Sequence, residues 1–121
     1  SPDILNFRRV ELSRAVMEQN GDQSKQIWFN EYGWNASPVD FPAGELTWGR
    51  VTEAEQAEWT VQGLKFASAN WPWAGVLNVW FFRRPFTDVS PQDSEYYFRM
   101  VDPDFTPRAL YNAIAKAANN S

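Results

Sequence analysis

Composition limits the chemistry open to this 121-residue chain, because it contains no histidine and no cysteine. That absence excludes Ser-His and Cys-His triads, thiolate and imidazole metal sites, and disulfides. Carboxylates, Lys, Tyr, Ser and Thr remain. Among them Glu31 has the most informative position, because it lies near the end of an apolar and aromatic segment at 26–32 that Gly33 closes. A glutamate there is either a functional carboxylate or a solvated residue at the end of a strand.

Aromatic side chains are frequent, with seven Trp, four Tyr and nine Phe. So many flat rings favour a packed core, a sugar-stacking site, or both. The net charge is −4 and no basic stretch is present, so we expect no nucleic-acid partner. The longest apolar run, at 79–82, is far shorter than the roughly 20 residues that span a bilayer, so we expect no membrane partner. The first ten residues form no signal-peptide pattern, and an extracellular or a cytoplasmic location stays open.

Hydrophobic spacing, capping residues and breaks at Gly and Pro divide the chain into alternating elements. Their order is helix, strand, long loop, helix, strand, long loop and helix, which is typical of a parallel α/β fold. The predicted elements are a helix over 4–19 capped by Asp3 and ended by Asn20-Gly21, a strand over 26–32, a helix from the Thr52–Glu55 capping box to Asn70, a strand over 75–82, and a helix from Thr106 and Pro107 to Ala117.

The strands carry two further expectations. Alternation places Ile27, Phe29 and Glu31 on one face of the first strand, away from the helices. The near-continuous apolar residues at 75–82 indicate a strand that is buried on both faces. Two strands alone leave unpaired edges, so the sequence predicts a piece of a larger sheet or a protomer that completes its sheet through a homo-oligomer.

Four motifs follow one another in a specific order. They are I-W-F-N-E-Y-G-W at 27–34, E-A-E-Q-A at 53–57, G-V-L-N-V-W-F-F at 75–82 and M-V-D-P-D-F-T-P-R-A-L-Y-N-A-I at 100–114. In this order they resemble the end of retaining glycoside hydrolases of the large (β/α)8 clan, of the family 39 and family 5 type.

The resemblance implies an α/β fold in which residues 1–121 form a single fragment of a (β/α)8 TIM barrel. The fragment would hold helix 6, strand 7, helix 7, strand 8 and helix 8, which are the last two βα units. A barrel of about 250 residues has roughly 31 residues per unit, so 121 residues with long loops fit two units and a preceding helix. The remaining units of the barrel would then be the partner of this strand layer.

The resemblance also implies roles for single residues. Glu31 matches the nucleophile that acts on a β-linked saccharide, and Trp80 matches the aromatic platform below the sugar. Trp34, Asn35 and Trp48 would line the substrate cleft from the long loop. The alternatives are equally open: Trp80 as a core residue, and Trp34, Asn35 and Trp48 as loop anchors.

A retaining mechanism needs a second carboxyl about 5–5.5 Å from the first. In this clan the acid/base glutamate ends the fourth strand, which has no counterpart in this chain. We therefore expect the isolated chain to be inactive, and we expect neither a cofactor nor a metal ion.

Two other classes of function remain open at this point. One is a non-catalytic carbohydrate-binding or oligomerising module, in which aromatic rings stack on sugar and Glu31 only accepts hydrogen bonds. The other is an acidic interaction domain that binds no sugar.

Trp71 and Trp73 precede the second strand, at the end opposite to the site, and we expect both to be structural.

Overall fold

The computed structural model describes residues 6–46, 48–85, 87–88 and 90–119. Within them the chain is a mixed α/β structure with three α-helices and one two-stranded parallel sheet, as the sequence predicts. The elements are α1 (Val10–Gln19), β1 (Ile27–Tyr32), α2 (Glu53–Asn70), β2 (Ala74–Val79) and α3 (Ala109–Asn119).

The start of the first helix differs from the prediction. Positions 4 and 5 and the proposed cap Asp3 lie outside the described residues. A 3-10 turn at Phe7–Arg9 precedes α1, and Asn6 caps this turn by accepting a hydrogen bond from the backbone N–H of Arg8 at 2.9 Å. The helix ends as predicted, with Gly21 in the left-handed conformation at φ 80°.

The Thr52–Glu55 capping box at the start of α2 is confirmed. The Thr52 hydroxyl accepts from the backbone N–H of Glu55 at 3.2 Å, and the Glu55 carboxylate accepts from the Thr52 N–H at 2.8 Å. The third helix begins at Ala109, so the predicted start at Thr106 and Pro107 is wrong. The backbone before it is paired with residues 100–102 instead, which keeps it extended.

The two strands run parallel, but their register shifts twice. One shift lies between Ile27 and Trp28, and the other lies between Phe29 and Tyr32. Burial alternates as predicted over the first four residues of β1, where Ile27 and Phe29 are half-buried and the residues between and after them are exposed. The predicted orientation of Phe29 away from the helices is wrong. Phe29 stacks on Trp71 beside the helices, whereas the side chain that is left 70% exposed is that of Trp28.

The expectation that β2 is buried on both faces is also wrong for the described chain. Gly75 and Asn78 are exposed, and Val76 is 37% exposed. Val76 pairs with the exposed Trp28, so one face of the sheet is covered by nothing in the described residues. On the other face Leu77, the partner of Phe29, is half-buried.

A cluster of stacked rings fills the space between sheet and helices. Trp71 lies at its centre, 4% exposed, with ring centroids 5.1 Å from Trp73 and 4.9 Å from Phe7. Its indole N–H donates to Glu11 of α1 at 3.1 Å. These contacts agree with the structural role predicted for Trp71 and Trp73.

None of the helices in the described ranges combines the length and the apolar character needed to cross a membrane.

Candidate functional site

The carboxyl ends of the two strands lie side by side. The backbone N–H of Trp80 donates to the carbonyl oxygen of Tyr32 at 2.8 Å, so the residue after Glu31 is joined directly to Trp80. The prediction that Glu31 ends a parallel strand next to the end of the second strand is confirmed. In parallel sheets this edge is the one at which ligands bind.

Gly33 allows this close approach. A Cβ atom on Gly33 would lie 2.9 Å from the Trp80 carbonyl oxygen and 3.7 Å from the Phe98 side chain. Real Cβ atoms essentially never approach a backbone oxygen that closely. The absence of a side chain at position 33 therefore holds Glu31 and Trp80 at the same end of the sheet.

A cleft of about 720 Å³ opens beside β1. Glu31 is exposed in its wall, and the surrounding surface is mainly aromatic. The rings that line the cleft belong to Phe7, Phe29, Tyr32, Trp34, Trp48, Trp59 and Phe98. A concave, largely apolar surface with a few polar groups is the usual form of a small-molecule site.

A second cavity of about 260 Å³ shares part of this wall. Glu31 and Trp48 line both spaces, and the second one adds Trp80 and Glu95. The structure thus brings four of the five predicted site residues to two adjoining cavities as partly exposed side chains. The fifth, Asn35, lies at the first cavity but is buried.

Trp48 projects its ring into this region from the long loop. Its side chain is 70% exposed, and its backbone has φ 68°, in the left-handed region. That conformation costs a non-glycine residue roughly 1–2 kcal/mol, and such outliers concentrate at ligand sites. The exposed ring at the cleft is consistent with the cleft-lining position that the sequence suggests.

Trp80 is half-buried, so it is neither a pure core residue nor fully open. The Arg84 guanidinium lies 4.7 Å from the centroid of the Trp80 ring, and the Phe81 ring meets it edge-on at 5.5 Å. The peptide bond between Trp80 and Phe81 is cis. Phe82, two residues after Trp80, is 50% exposed and contacts Tyr111 of α3.

Trp34 forms part of the floor of the first cleft. Its ring lies edge-on to Tyr32 at 5.3 Å and to Trp59 of α2 at 6.0 Å, and it stays half-buried. The backbone carbonyl of Trp34 accepts a hydrogen bond from the Gln56 side chain at 2.6 Å. The same amide donates to the carbonyl oxygen of Tyr97 at 2.9 Å, so α2 holds both long loops in place.

Asn35 is a loop anchor, and the expected contact with substrate does not fit its surroundings. The residue is 2% exposed. Its amide oxygen accepts from the backbone N–H of Ser37 at 2.7 Å and from the Ser37 hydroxyl, and its amide nitrogen donates to the Ser94 carbonyl at 2.9 Å. Asn35 therefore connects the two loops that surround the site.

Tyr32 is held in the neutral form. Burial raises the pKa of its phenol far above the ordinary value of 10. The hydroxyl donates to the backbone carbonyl of Thr60 in α2 at 2.8 Å. Tyr32 thus fixes the strand end against the helix, and the carboxylate of Glu31 next to it is exposed.

Sequence reasoning missed Glu95, the second carboxylate of the site. Glu95 belongs to a 3-10 turn at Ser94–Phe98, distant in sequence from Glu31. No local spacing pattern marks it, because only the folded loops bring it to the cavity.

No group of three or more metal-binding side chains occurs among the described residues.

Comparison of this chain with protein-family models, with curated proteins and with solved structures found no match in any of the three.

Proposed function

We propose that this chain forms the C-terminal part of the catalytic domain of a retaining glycoside hydrolase that acts on a β-linked saccharide, with Glu31 as the nucleophile. The observation that carries the proposal is the position of Glu31. It is an exposed carboxylate at the carboxyl end of a parallel strand, in a cavity shared with the partly exposed rings of Trp48 and Trp80.

The aromatic surroundings suit a sugar. Each pyranose has an apolar C–H face that packs against flat rings, and hydroxyl groups at its edge that need hydrogen-bond partners. Trp48 and Trp80 offer ring surface, and Glu31 offers carboxylate oxygens at the same cavity. This mixture of apolar rings and few polar groups is what orients a small ligand.

In the proposed reaction, the Glu31 carboxylate attacks the anomeric carbon while a second carboxylic acid protonates the leaving oxygen. The glycosyl ester on Glu31 is then hydrolysed by water, and the second residue acts as the base. We place that acid/base residue in barrel units other than the two of this chain. The isolated chain is then expected to be inactive.

The uncovered sheet supports the larger barrel. Trp28 is exposed beside Val76 on a face that the described residues leave open. Further strands of a (β/α)8 barrel would pair with the two free edges, and their inward side chains would cover that face.

The proposal is tested by chemical rescue in the protein that contains this chain. Glu31→Ala is expected to abolish hydrolysis of 4-nitrophenyl β-glycosides, because the covalent intermediate cannot form. Added azide should enter the vacant space, restore part of the turnover and give a glycosyl azide. Glu58→Ala, which removes an exposed glutamate of α2, serves as the control and should keep wild-type activity. Loss of activity without any azide product would exclude the nucleophile role.

A non-catalytic carbohydrate-binding module is the second candidate, since the aromatic cleft alone could hold a sugar. The same variants separate the two functions. A module would bind oligosaccharides without hydrolysing them, and Glu31→Ala would weaken that binding without any azide effect.

A further inference from the structure

Glu95 shares the smaller cavity with Glu31, Trp48 and Trp80. Its side chain is half exposed, so its carboxylate is open to a ligand. Nothing in the proposed displacement reaction uses this second carboxylate.

Arg84 connects Glu95 to the aromatic ring. Its guanidinium lies 4.7 Å from the centroid of Trp80 and 5.1 Å from that of Phe81. The Nη1 atom of Arg84 lies 3.7 Å from Oε2 of Glu95. At that distance the ion pair is loose, and the carboxylate keeps most of its capacity to accept hydrogen bonds.

Two side chains from other elements bind backbone carbonyl groups of the turn that carries Glu95. The Ser94 carbonyl accepts from the Asn35 amide at 2.9 Å, and the Tyr97 carbonyl accepts from the Gln56 amide at 2.9 Å. Asn35 follows β1 closely in sequence, so the position of Glu95 is tied to the end of the strand that carries Glu31. The backbone that carries Glu95 is thereby preorganised, which lowers the cost of binding a ligand at this position.

We propose that Glu95 determines the substrate class, by accepting hydrogen bonds from hydroxyl groups of a neutral sugar that lies against Trp80. Arg84 acts as the positioning residue for both Glu95 and the Trp80 ring. This inference rests on the proposed glycosidase function and identifies the ligand of the same site as a neutral pyranoside.

Charge at the site supports a neutral sugar. A uronic acid or a sulfated sugar would bring its anion close to the carboxylates of Glu31 and Glu95. Arg84 faces Glu95 and Trp80, whereas Arg50 lies at the larger cleft and donates to the carbonyl oxygens of Pro38 and Phe41. The smaller cavity is lined by the two carboxylates and, among the described residues, by no lysine or arginine. Repulsion of like charges therefore disfavours an anionic substrate in this cavity.

The test compares Glu95→Gln with the matched variant Glu58→Gln in the protein that contains this chain. Exposed ion pairs contribute little to stability, so Glu95→Gln should fold, and urea unfolding checks this.

The probes are 4-nitrophenyl β-D-glucopyranoside, β-D-xylopyranoside and β-D-glucuronide. For the better neutral substrate, kcat/KM should fall about 10- to 100-fold in Glu95→Gln, the range for a hydrogen bond to a charged group. Glu58→Gln should match the wild type.

Monodeoxy analogues of the better substrate identify the hydroxyl group that Glu95 binds. The analogue that lacks the hydroxyl bound by Glu95 should react equally well with the wild type and with Glu95→Gln. The ratio of kcat/KM for the neutral sugar to kcat/KM for the glucuronide should also be smaller in Glu95→Gln than in the wild type. If every deoxy analogue is affected to the same extent as the parent sugar, or if the glucuronide is the preferred substrate, the inference is overturned.

The outcomes also separate this inference from the proposed function. If Glu31→Ala shows azide rescue while Glu95→Gln equals the wild type, the inference fails and the glycosidase stands. If the wild type hydrolyses none of the probes, the glycosidase proposal fails. Calorimetric titration with cellohexaose and xylohexaose then decides the role of Glu95. Weaker binding by Glu95→Gln supports that role, and equal binding or none overturns it.

Discussion

The hydroxyl group of Tyr32 occupies the space beside Gly63 that a Cβ atom on this glycine would need. Gly63 lies in the middle of α2, where the missing side chain lets the strand end approach the helix and the Tyr32 hydroxyl reach the Thr60 carbonyl. Because Tyr32 directly follows Glu31, this contact fixes the strand end that presents the carboxylate.

We expect Gly63→Ala to destabilise the chain, although alanine favours a helix interior by about 1 kcal/mol over glycine. Overpacking against the Tyr32 ring should lower the free energy of unfolding by about 1–3 kcal/mol, measured by urea unfolding. Tyr32→Phe in the Gly63→Ala background should recover part of this loss, because it removes the overlapping oxygen. A more stable Gly63→Ala variant would contradict the close contact.

Gly33→Ala is predicted to separate the two strand ends. The new methyl group would meet the Trp80 carbonyl oxygen, and the shift should cost about 1–3 kcal/mol of stability. In the proposed glycosidase it should also lower kcat/KM, because Glu31 and Trp80 lose their relative position. Gly44→Ala is the matched control, since a Cβ atom there has nothing within 4 Å. Equal urea midpoints for the two variants would show that the approach at Gly33 is not tight.

The capping box predicts a pH dependence of stability. Hydrogen bonds from the backbone N–H and then from the hydroxyl of Thr52 lower the pKa of Glu55 below its ordinary value of 4.5. A carboxyl whose folded pKa is lowered stabilises the fold above the unfolded pKa, and that contribution is lost as the pH falls through the folded value.

Glu55→Gln should therefore lose less stability than the wild type when urea midpoints are compared at pH 7 and below pH 4.5. Glu58→Gln, on the same helix but outside the box, is the control and should follow the wild-type curve. If the urea midpoints of all three proteins fall equally between the two pH values, the capping box is not a source of acid sensitivity.

The uncovered face of the sheet predicts association of the isolated chain. Trp28 and Val76 expose apolar surface side by side, and burying one large apolar side chain stabilises a complex by about 1.5–3 kcal/mol. Sedimentation equilibrium should give a mass above the 14.0 kDa of one chain, and Trp28→Gln should shift it towards that value. Val39→Gln should have no effect, because Val39 is 88% exposed on the long loop. A monomer at micromolar concentration would contradict this expectation.

Much of the element order was predictable because its signals are local. The capping box at Thr52–Glu55 and the turn at Asn20-Gly21 act within a few residues, and both form as predicted. The start of α3 was not predictable in this way. Pro107 is a good first residue for a helix, but its pairing with Val101 keeps the backbone extended.

The sequence by itself determined that histidine and cysteine chemistry is excluded here, and that Glu31 lies at the end of a parallel strand. Those properties follow from composition and from short-range patterns. Only the tertiary structure decided that Asn35 is buried, that Trp28 rather than Phe29 is exposed, and that Glu95 joins Glu31 at one cavity. Each of these depends on strand register or on loop contacts between segments far apart in the chain, and no local spacing of residues encodes such contacts.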